Sequence, residues 1–138
     1  DENNFYHTDS RSRIIYKIKI NKHLKISNKK IFIRLNSKDG APDGMTLDNK
    51  KNLWVCHFNG ACISVFNKKG KKIHKINFPA KNITNCTFGG PNNNELFVSS
   101  ATKSMSKKDQ KKYRYSGSFF SVKTNMKGKL SKSYKISL

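Results

Sequence analysis

Apolar residues in this chain fall in short runs, and residues typical of turns separate the runs. Residues 13–20 largely alternate between apolar side chains and lysines, and residues 29–35 repeat the pattern with Ile31, Ile33 and Leu35. Alternation with a period of two predicts a β-strand with one buried face. We therefore expect Ile31, Ile33 and Leu35 to lie on the same face of a half-buried strand.

Similar runs continue along the rest of the chain. The sequences at residues 59–60 (Asn-Gly) and 67–70 (Asn-Lys-Lys-Gly) are typical of tight turns between strands. A lysine-rich insertion covers residues 103–114, and no stretch has the period of a helix. The pattern predicts strands at residues 5–8, 13–20, 29–35, 45–47, 53–57, 62–66, 73–78, 83–88, 96–99, 118–123 and 133–138.

Three of these runs stand at equivalent places in what we interpret as successive repeats. They are Phe5-Tyr6-His7, Leu53-Trp54-Val55 and Leu96-Phe97-Val98. Their spacing is roughly forty to fifty residues, which is the length of a four-stranded propeller blade. The sequence therefore predicts an all-β chain of about two and a half four-stranded repeats.

A turn-forming sequence, Pro42-Asp43-Gly44, precedes the short apolar segment 45–47. Pro42 fixes its own φ, and Gly44 permits a backbone path that a side chain would obstruct. We expect Asp43 to lie at a rigid junction between a loop and a strand, where the backbone aims its carboxylate. Such a position suits a metal ligand. The alternative is a plain turn, because Pro-Asp-Gly is a common turn tripeptide.

The chain is strongly basic, with 29 Lys and Arg against 8 Asp and Glu and a formal net charge of +21. Such an excess usually indicates a polyanionic partner. Here the lysines are spread through every segment, so we expect a solvated surface, no specific nucleic-acid partner and no membrane partner. Cys56, Cys62 and Cys86 lie in apolar runs, which predicts buried thiols. There is no signal peptide and no long apolar span, and we expect a cytoplasmic protein.

Three separated blocks of the sequence, in order and spacing, resemble the regucalcin/gluconolactonase (senescence marker protein) family. The resemblance implies a partial six-bladed β-propeller of about two and a half to three four-stranded blades. It covers nearly the whole chain, so residues 1–138 correspond to the C-terminal half of a family member. The blocks are Asn4-Phe5-Tyr6-His7-Thr8-Asp9-Ser10; Gly40 to Asp48 with Asn52-Leu53-Trp54-Val55 and Asn59-Gly60; and Thr84 to Gly90 with Glu95 to Ala101.

The resemblance also implies a chemistry, the metal-dependent hydrolysis of a sugar lactone. In the family a Glu, an Asn and an Asp hold a divalent cation at the mouth of the central channel, and the Asp corresponds to Asp43. Oxygen ligands suit Ca²⁺, Mg²⁺ or Mn²⁺, and Zn²⁺ is tolerated. The metal would polarise the lactone carbonyl for attack by water, and Asp43 could assist proton removal.

Other residues of the same region have structural alternatives. His57, near the channel rim of the family, is a candidate for substrate binding, and the alternative is a hydrogen-bonded structural histidine. We interpret Asp48 as part of a blade turn and Trp54 as a core residue. The sequence holds no counterpart of the family's Glu or Asn in their motifs. A single carboxylate binds a divalent cation weakly, so we expect the 138-residue chain alone to have little or no lactonase activity.

Half of a propeller would leave two blade faces uncovered, whereas a closed ring leaves none. We therefore expect either a missing N-terminal half or a second copy of the chain to complete the ring. The absence of an initial Met suggests processing, truncation or a longer parent chain. The alternative function is a non-catalytic propeller that binds calcium or a protein partner.

Overall fold

The computed structural model describes residues 3–130 and arranges them almost entirely as antiparallel β-strands. A one-turn 3-10 helix covers Ser37–Asp39, between the third and fourth strands. The other elements are β1 (Asn4–Asp9), β2 (Ile14–Ile20), β3 (Ile26–Arg34), β4 (Ala41–Leu47), β5 (Leu53–Phe58), β6 (Cys62–Phe66), β7 (Lys72–Asn77), β8 (Asn82–Gly89), β9 (Glu95–Ala101), α1 (Lys107–Lys112) and β10 (Phe119–Lys123).

The strands form three sheets, which we call the first, second and third blades. The first blade has the order β1-β2-β3, the second β4-β5-β6-β7 and the third β8-β9-β10. Within each sheet, neighbouring strands are also neighbours in the sequence, so every connection is a simple reversal. The first strands of the second and third blades, β4 and β8, contact each other. The prediction of an all-β partial propeller with about three blades is confirmed.

The core lies in the two interfaces between neighbouring blades. In β5, Leu53 and Val55 pack toward the first blade, whereas Trp54 and Cys56 pack toward the third. Both faces of this strand are therefore buried, and each fully buried large side chain stabilises the fold by roughly 1.5–3 kcal/mol. One interface contains Ile15, Ile33, Leu35, Leu53, Val55 and Phe66, and the other contains Trp54, Cys56, Ile63, Val65, Phe78, Ala80, Ile83, Cys86, Leu96 and Val98.

The alternation predicted for β3 is interrupted by a β-bulge at Phe32. Ile33 pairs with Ile15, but Ile31 pairs with Tyr16, so one extra residue is inserted between the two pairs. A bulge turns the following residues to the other face of a strand. Ile33 is consequently buried against the second blade while Ile31 is 50% exposed on the opposite face. The prediction that these two side chains share a face is wrong.

Two further predictions need correction. The insertion at 103–114 contains α1, which begins at Ser106 with a reciprocal capping box between Ser106 and Asp109. Six residues are too few to show a helical period, so the sequence pattern missed it. Asp43 does not precede its strand, because β4 begins at Ala41. The strand predicted at 133–138 lies outside the described residues.

The three cysteines lie where the sequence predicts them. Cys56, Cys62 and Cys86 are free and buried, as predicted. Among residues 3–130, no helix has the length and apolar character that crossing a membrane requires.

Candidate functional site

Asp43 lies on a β-bulge in β4, the strand that begins the second blade. Pro42 pairs with His57 and Met45 pairs with Val55, so Asp43 and Gly44 together face the single residue Cys56. A bulge of this kind bends its strand and re-aims a side chain. Asp43 therefore lies on a bulge within the strand, whereas the sequence predicts a junction between a loop and a strand.

A second bulge in β8 meets the first. In β8, Ile83 pairs with Ser100 and Asn85 with Ser99, which leaves Thr84 as the extra residue. A Cβ atom on Gly44 would collide with the amide oxygen of Asn85 and lie 2.6 Å from the backbone oxygen of Thr84. Only glycine allows this approach, so Gly44 brings the Asp43 segment directly against the third blade.

The first blade also reaches this point. The hydroxyl of Thr8, near the end of β1, donates to the backbone oxygen of Asp43 at 3.4 Å and lies 3.5 Å from the sulfur of Met45. Thr8, Asp43 and Asn85 therefore bring all three blades together at one place. Neither Thr8 nor Asn85 was predicted as part of the site, because contacts between blades leave no local signal in the sequence.

The carboxylate of Asp43 is partly buried, and this burial raises its pKa above the ordinary value of 3.8. A hydrogen bond from the backbone N–H of Gly44 acts in the opposite direction, because it stabilises the charged form. A desolvated carboxylate with a raised pKa is a stronger base and a stronger cation ligand than an exposed one.

The described residues do not by themselves form a complete site for a divalent cation. Within residues 3–130, no group of three or more His, Cys, Asp or Glu side chains could hold a metal ion. The amide oxygen of Asn85, which lies against Gly44, accepts a hydrogen bond from the backbone N–H of Cys86 at 2.9 Å. Asp43 has the oxygen chemistry that a hard cation requires. In the described part of the chain it has no pair of neighbouring His, Cys, Asp or Glu side chains that would complete a site with it.

His57 is enclosed beneath the turn that joins β5 and β6. Its ring is 1% exposed, and Nδ1 lies 2.7 Å from the backbone oxygen of Asp39. Burial lowers the pKa of His57, with the Asp39 contact opposing the shift, so the ring is neutral at pH 7 and Nδ1 donates. This bond ties the 3-10 helix to β5, as the structural alternative predicts. Substrate binding by His57 stays a prediction.

Comparisons with known proteins find relatives of this chain. Residues 1–102 match the model of the SMP-30/gluconolactonase/LRE-like region. Regucalcin of Xenopus laevis is 32% identical over 127 residues, covering 88% of this chain and 42% of the relative. Pentonolactonase XacC of Haloferax volcanii is 28% identical over 102 residues, covering 73% of this chain and 35% of the relative.

A solved structure has the same fold over a matching length. The regucalcin of Agrobacterium tumefaciens, described as a calcium-binding protein, superposes on 99% of this chain with a TM-score of 0.88 and 20% identity. The chain covers 47% of that structure. It thus spans less than half the length of these relatives.

Proposed function

Because the chain belongs to the SMP-30/gluconolactonase/LRE-like family, we propose that it forms part of a metal-dependent sugar-lactone hydrolase. The observation that carries the proposal is the pair of opposed bulges that presents Asp43 where three blades meet. Lactonases are among its relatives, and a small lactone is the proposed substrate. The three free, buried cysteines are compatible with the reducing cytoplasm, which we propose as its compartment.

In this proposal Asp43 binds a divalent cation, Ca²⁺ or else Zn²⁺, Mg²⁺ or Mn²⁺, together with ligands from outside residues 3–130. Its raised pKa also suits Asp43 to accept a proton from the water that attacks the lactone. Gly44 and Asn85 position the carboxylate and do not touch the reacting atoms. Any contact between His57 and the substrate would be made from the enclosed position beneath the β5–β6 turn.

The two outer blade faces support the need for further blades. Phe5 and Ile31, on the face of the first blade that points away from the second, are 43% and 50% exposed. On the outer face of the third blade, Phe119 is 69% exposed and its ring stacks on that of Phe97, with the ring centroids 5.8 Å apart. Exposed aromatic and aliphatic side chains of this kind usually mark interfaces. We propose that an N-terminal half or a second copy of the chain covers them.

The lactonase proposal can be tested by joining residues 1–138 to the N-terminal half of a lactonase of the same family. The joined protein should hydrolyse a sugar lactone when a divalent metal is added, and Asp43→Asn should lower kcat/KM at least about 100-fold. The matched control Asp39→Asn removes the same charge four residues away and should retain activity within about threefold. A folded but inactive joined protein, or equal losses in both variants, would contradict the proposal.

A second candidate function is a propeller that binds calcium or a protein partner without catalysis, and the exposed apolar side chains on the two outer blade faces favour the protein partner. The two candidates differ in the joined protein, where binding of Ca²⁺ without turnover would support the second. A dedicated polyanion module has less support. The turn at residues 22–25 and the helix α1 lie at opposite ends of the strands and both carry lysines, so the charge is not one-sided.

A further inference from the structure

A basic cleft lies between the first and second blades, at the opposite end of β4 from Asp43. Its volume is about 190 Å³. Leu47 ends β4 and lines the cleft, whereas Asp43 lies near the start of that strand. The cleft is therefore separate from the candidate catalytic site. It is lined by Asn4, Tyr6, Lys17, Leu47, Lys51, Lys68 and Lys129.

Four segments that are distant in the sequence each contribute one lysine to this cleft. Lys17 belongs to β2, Lys51 to the β4–β5 turn, Lys68 to the β6–β7 turn and Lys129 to the segment after β10. Lysines spread along a single exposed strand or helix usually form a solvated face. Convergence from four segments on one cavity is a different arrangement, and it arises only in the folded chain.

The backbone around the cleft is fixed by hydrogen bonds. The N–H of Lys51 donates to the Asp48 oxygen at 2.9 Å, and the N–H of Lys129 donates to the Leu47 oxygen at 3.0 Å. The Asn67 side chain accepts from the N–H of Lys69 at 2.9 Å, which holds the turn containing Lys68. The lysine side chains thus extend from anchored positions, and less ordering is required when a ligand binds.

Neutral donors complete the lining. Tyr6 pairs directly with Lys17 across β1 and β2, and its ring packs on Phe32 with centroids 4.8 Å apart. Burial raises the pKa of Tyr6 above its usual 10.0, so the hydroxyl remains protonated at neutral pH and can donate. Asn4 lies two residues along β1 on the same face and offers an amide N–H₂.

Of the residues that the structure describes, no Asp or Glu lines the cleft. Among residues 3–130 the ion pair that forms is Lys81–Asp109, on the third blade, and the four cleft lysines have no carboxylate partner there. Converging like charges repel one another, and a bound anion would relieve the repulsion. A smaller depression of about 150 Å³ adjoins the cleft through Asn4 and Lys17 and adds Lys19, Asn28 and Lys30.

We propose that this cleft binds a small phosphorylated ligand carrying two or more phosphate charges. Four ammonium groups match the charge of a diphosphate, and the neutral donors of Tyr6 and Asn4 match its remaining oxygens. The cleft has room for about six water molecules at roughly 30 Å³ each. A diphosphate group fits within that space.

The proposal does not depend on lactonase activity or on closure of the ring. Every lining residue belongs to the first blade, the second blade or the segment after β10, and all are present in this chain. The experiment therefore uses the 138-residue chain itself, with inorganic pyrophosphate as the probe.

Calorimetric titration with pyrophosphate at about 0.15 M salt would test the cleft. A basic protein binds polyanions without specificity, so the variants must be matched in charge. Lys17→Gln/Lys68→Gln should weaken binding at least about tenfold. The control Lys107→Gln/Lys111→Gln removes the same charge from α1 and should change binding less than about twofold. Equal weakening in the two double variants would overturn the proposal.

Two further arms keep the test decisive. Lys17→Gln/Lys68→Gln is replaced if circular dichroism shows that it does not fold. The variant Lys51→Gln/Lys129→Gln, whose substitutions lie outside the strands, should then show the same tenfold loss of pyrophosphate affinity. Inorganic phosphate should bind more weakly than pyrophosphate, because it meets fewer of the four lysines. Binding of a short DNA duplex should weaken by the same factor in all the double variants. A duplex that lost affinity selectively in the cleft variants would overturn the assignment to a small ligand.

Discussion

Asp48 is a buried carboxylate whose three hydrogen-bond donors are all neutral. It is 0% exposed, and it accepts from the backbone N–H of Asn52 at 2.8 Å, from the Asn52 amide at 2.8 Å and from the indole N–H of Trp54 at 3.1 Å. These bonds close the β4–β5 turn and fix Trp54 in the core. The roles predicted for both residues from the sequence are confirmed.

Replacing Asp48 with Ala should destabilise the protein by about 3 kcal/mol, because it leaves the Trp54 and Asn52 donors buried without acceptors. Urea unfolding measures the change. Asp9→Ala is the control, since the Asp9 carboxylate accepts from the Ser12 N–H at 3.0 Å in an exposed turn and leaves no buried donor behind, and it should cost less than about 1 kcal/mol. Similar losses in the two variants would contradict this role for Asp48.

His57 should make stability depend on pH below about 6.5. Burial lowers its pKa below the ordinary 6.5, so the unfolded chain binds a proton at a higher pH than the folded protein does. Its contribution is fully present above pH 6.5 and is lost as the pH falls toward the folded pKa. Thermal unfolding at a series of pH values should show this decrease, and His57→Gln should reduce it. An unchanged profile in that variant, with His23→Gln as the exposed control, would argue against a buried neutral His57.

The elements differ in how well the sequence predicts them. β6 has the predicted bounds because turn residues flank a continuous apolar run on both sides. The bulges at Phe32 and at Asp43–Gly44 could not be predicted, because they depend on pairing with a neighbouring strand. The helix α1 did have a signal, the Ser106-x-x-Asp109 capping box, which a search for helical periodicity overlooks. The same holds for the candidate site. Asp43 could be predicted from the sequence, whereas Thr8 and Asn85 are found beside it only in the folded chain.

The helix α1 is attached to the third blade through one carboxylate. Asp109 accepts from Ser106 within the capping box and from Lys81, whose ammonium lies 2.6 Å away. The pKa of Asp109 falls from the ordinary 3.8 to about 2. The hydrogen bond with Lys81 is the largest cause, and the hydrogen bond with Ser106 is the next. The attachment should therefore be complete above pH 4 and should weaken as the pH falls toward 2.

Substituting Asp109 with Asn should release this helix without unfolding the blades. Amide hydrogen exchange of residues 107–112 should become several-fold faster at pH 7, while exchange in β5 and β6 stays unchanged. Ser106→Ala, which removes the cap but keeps the Lys81 contact, should have a smaller effect. Protection of α1 that survives in Asp109→Asn would rule out the proposed attachment.

At the scale of the whole molecule, the three blades bury two interfaces and leave two outer faces exposed. Sheets packed in series are stabilised by their neighbours, so the end blades are the least supported parts of the chain. The exposed Phe119 should promote self-association in the absence of an N-terminal half. Sedimentation equilibrium should detect dimers that Phe119→Lys weakens and the turn variant Leu24→Lys does not. If the chain is strictly monomeric, a second copy does not cover the outer faces, and an N-terminal half remains the proposed partner.

We propose that Asp43, where the three blades meet, binds a cation only with ligands from outside residues 3–130. Hydrolysis of gluconolactone by the pure 138-residue chain, titrated with Ca²⁺, Zn²⁺, Mg²⁺ and Mn²⁺, tests it most directly. We predict no metal-dependent rate above the spontaneous one at any concentration of cation. Robust metal-dependent turnover that Asp43→Asn abolishes would show that residues 1–138 already hold a complete site, and would contradict the account.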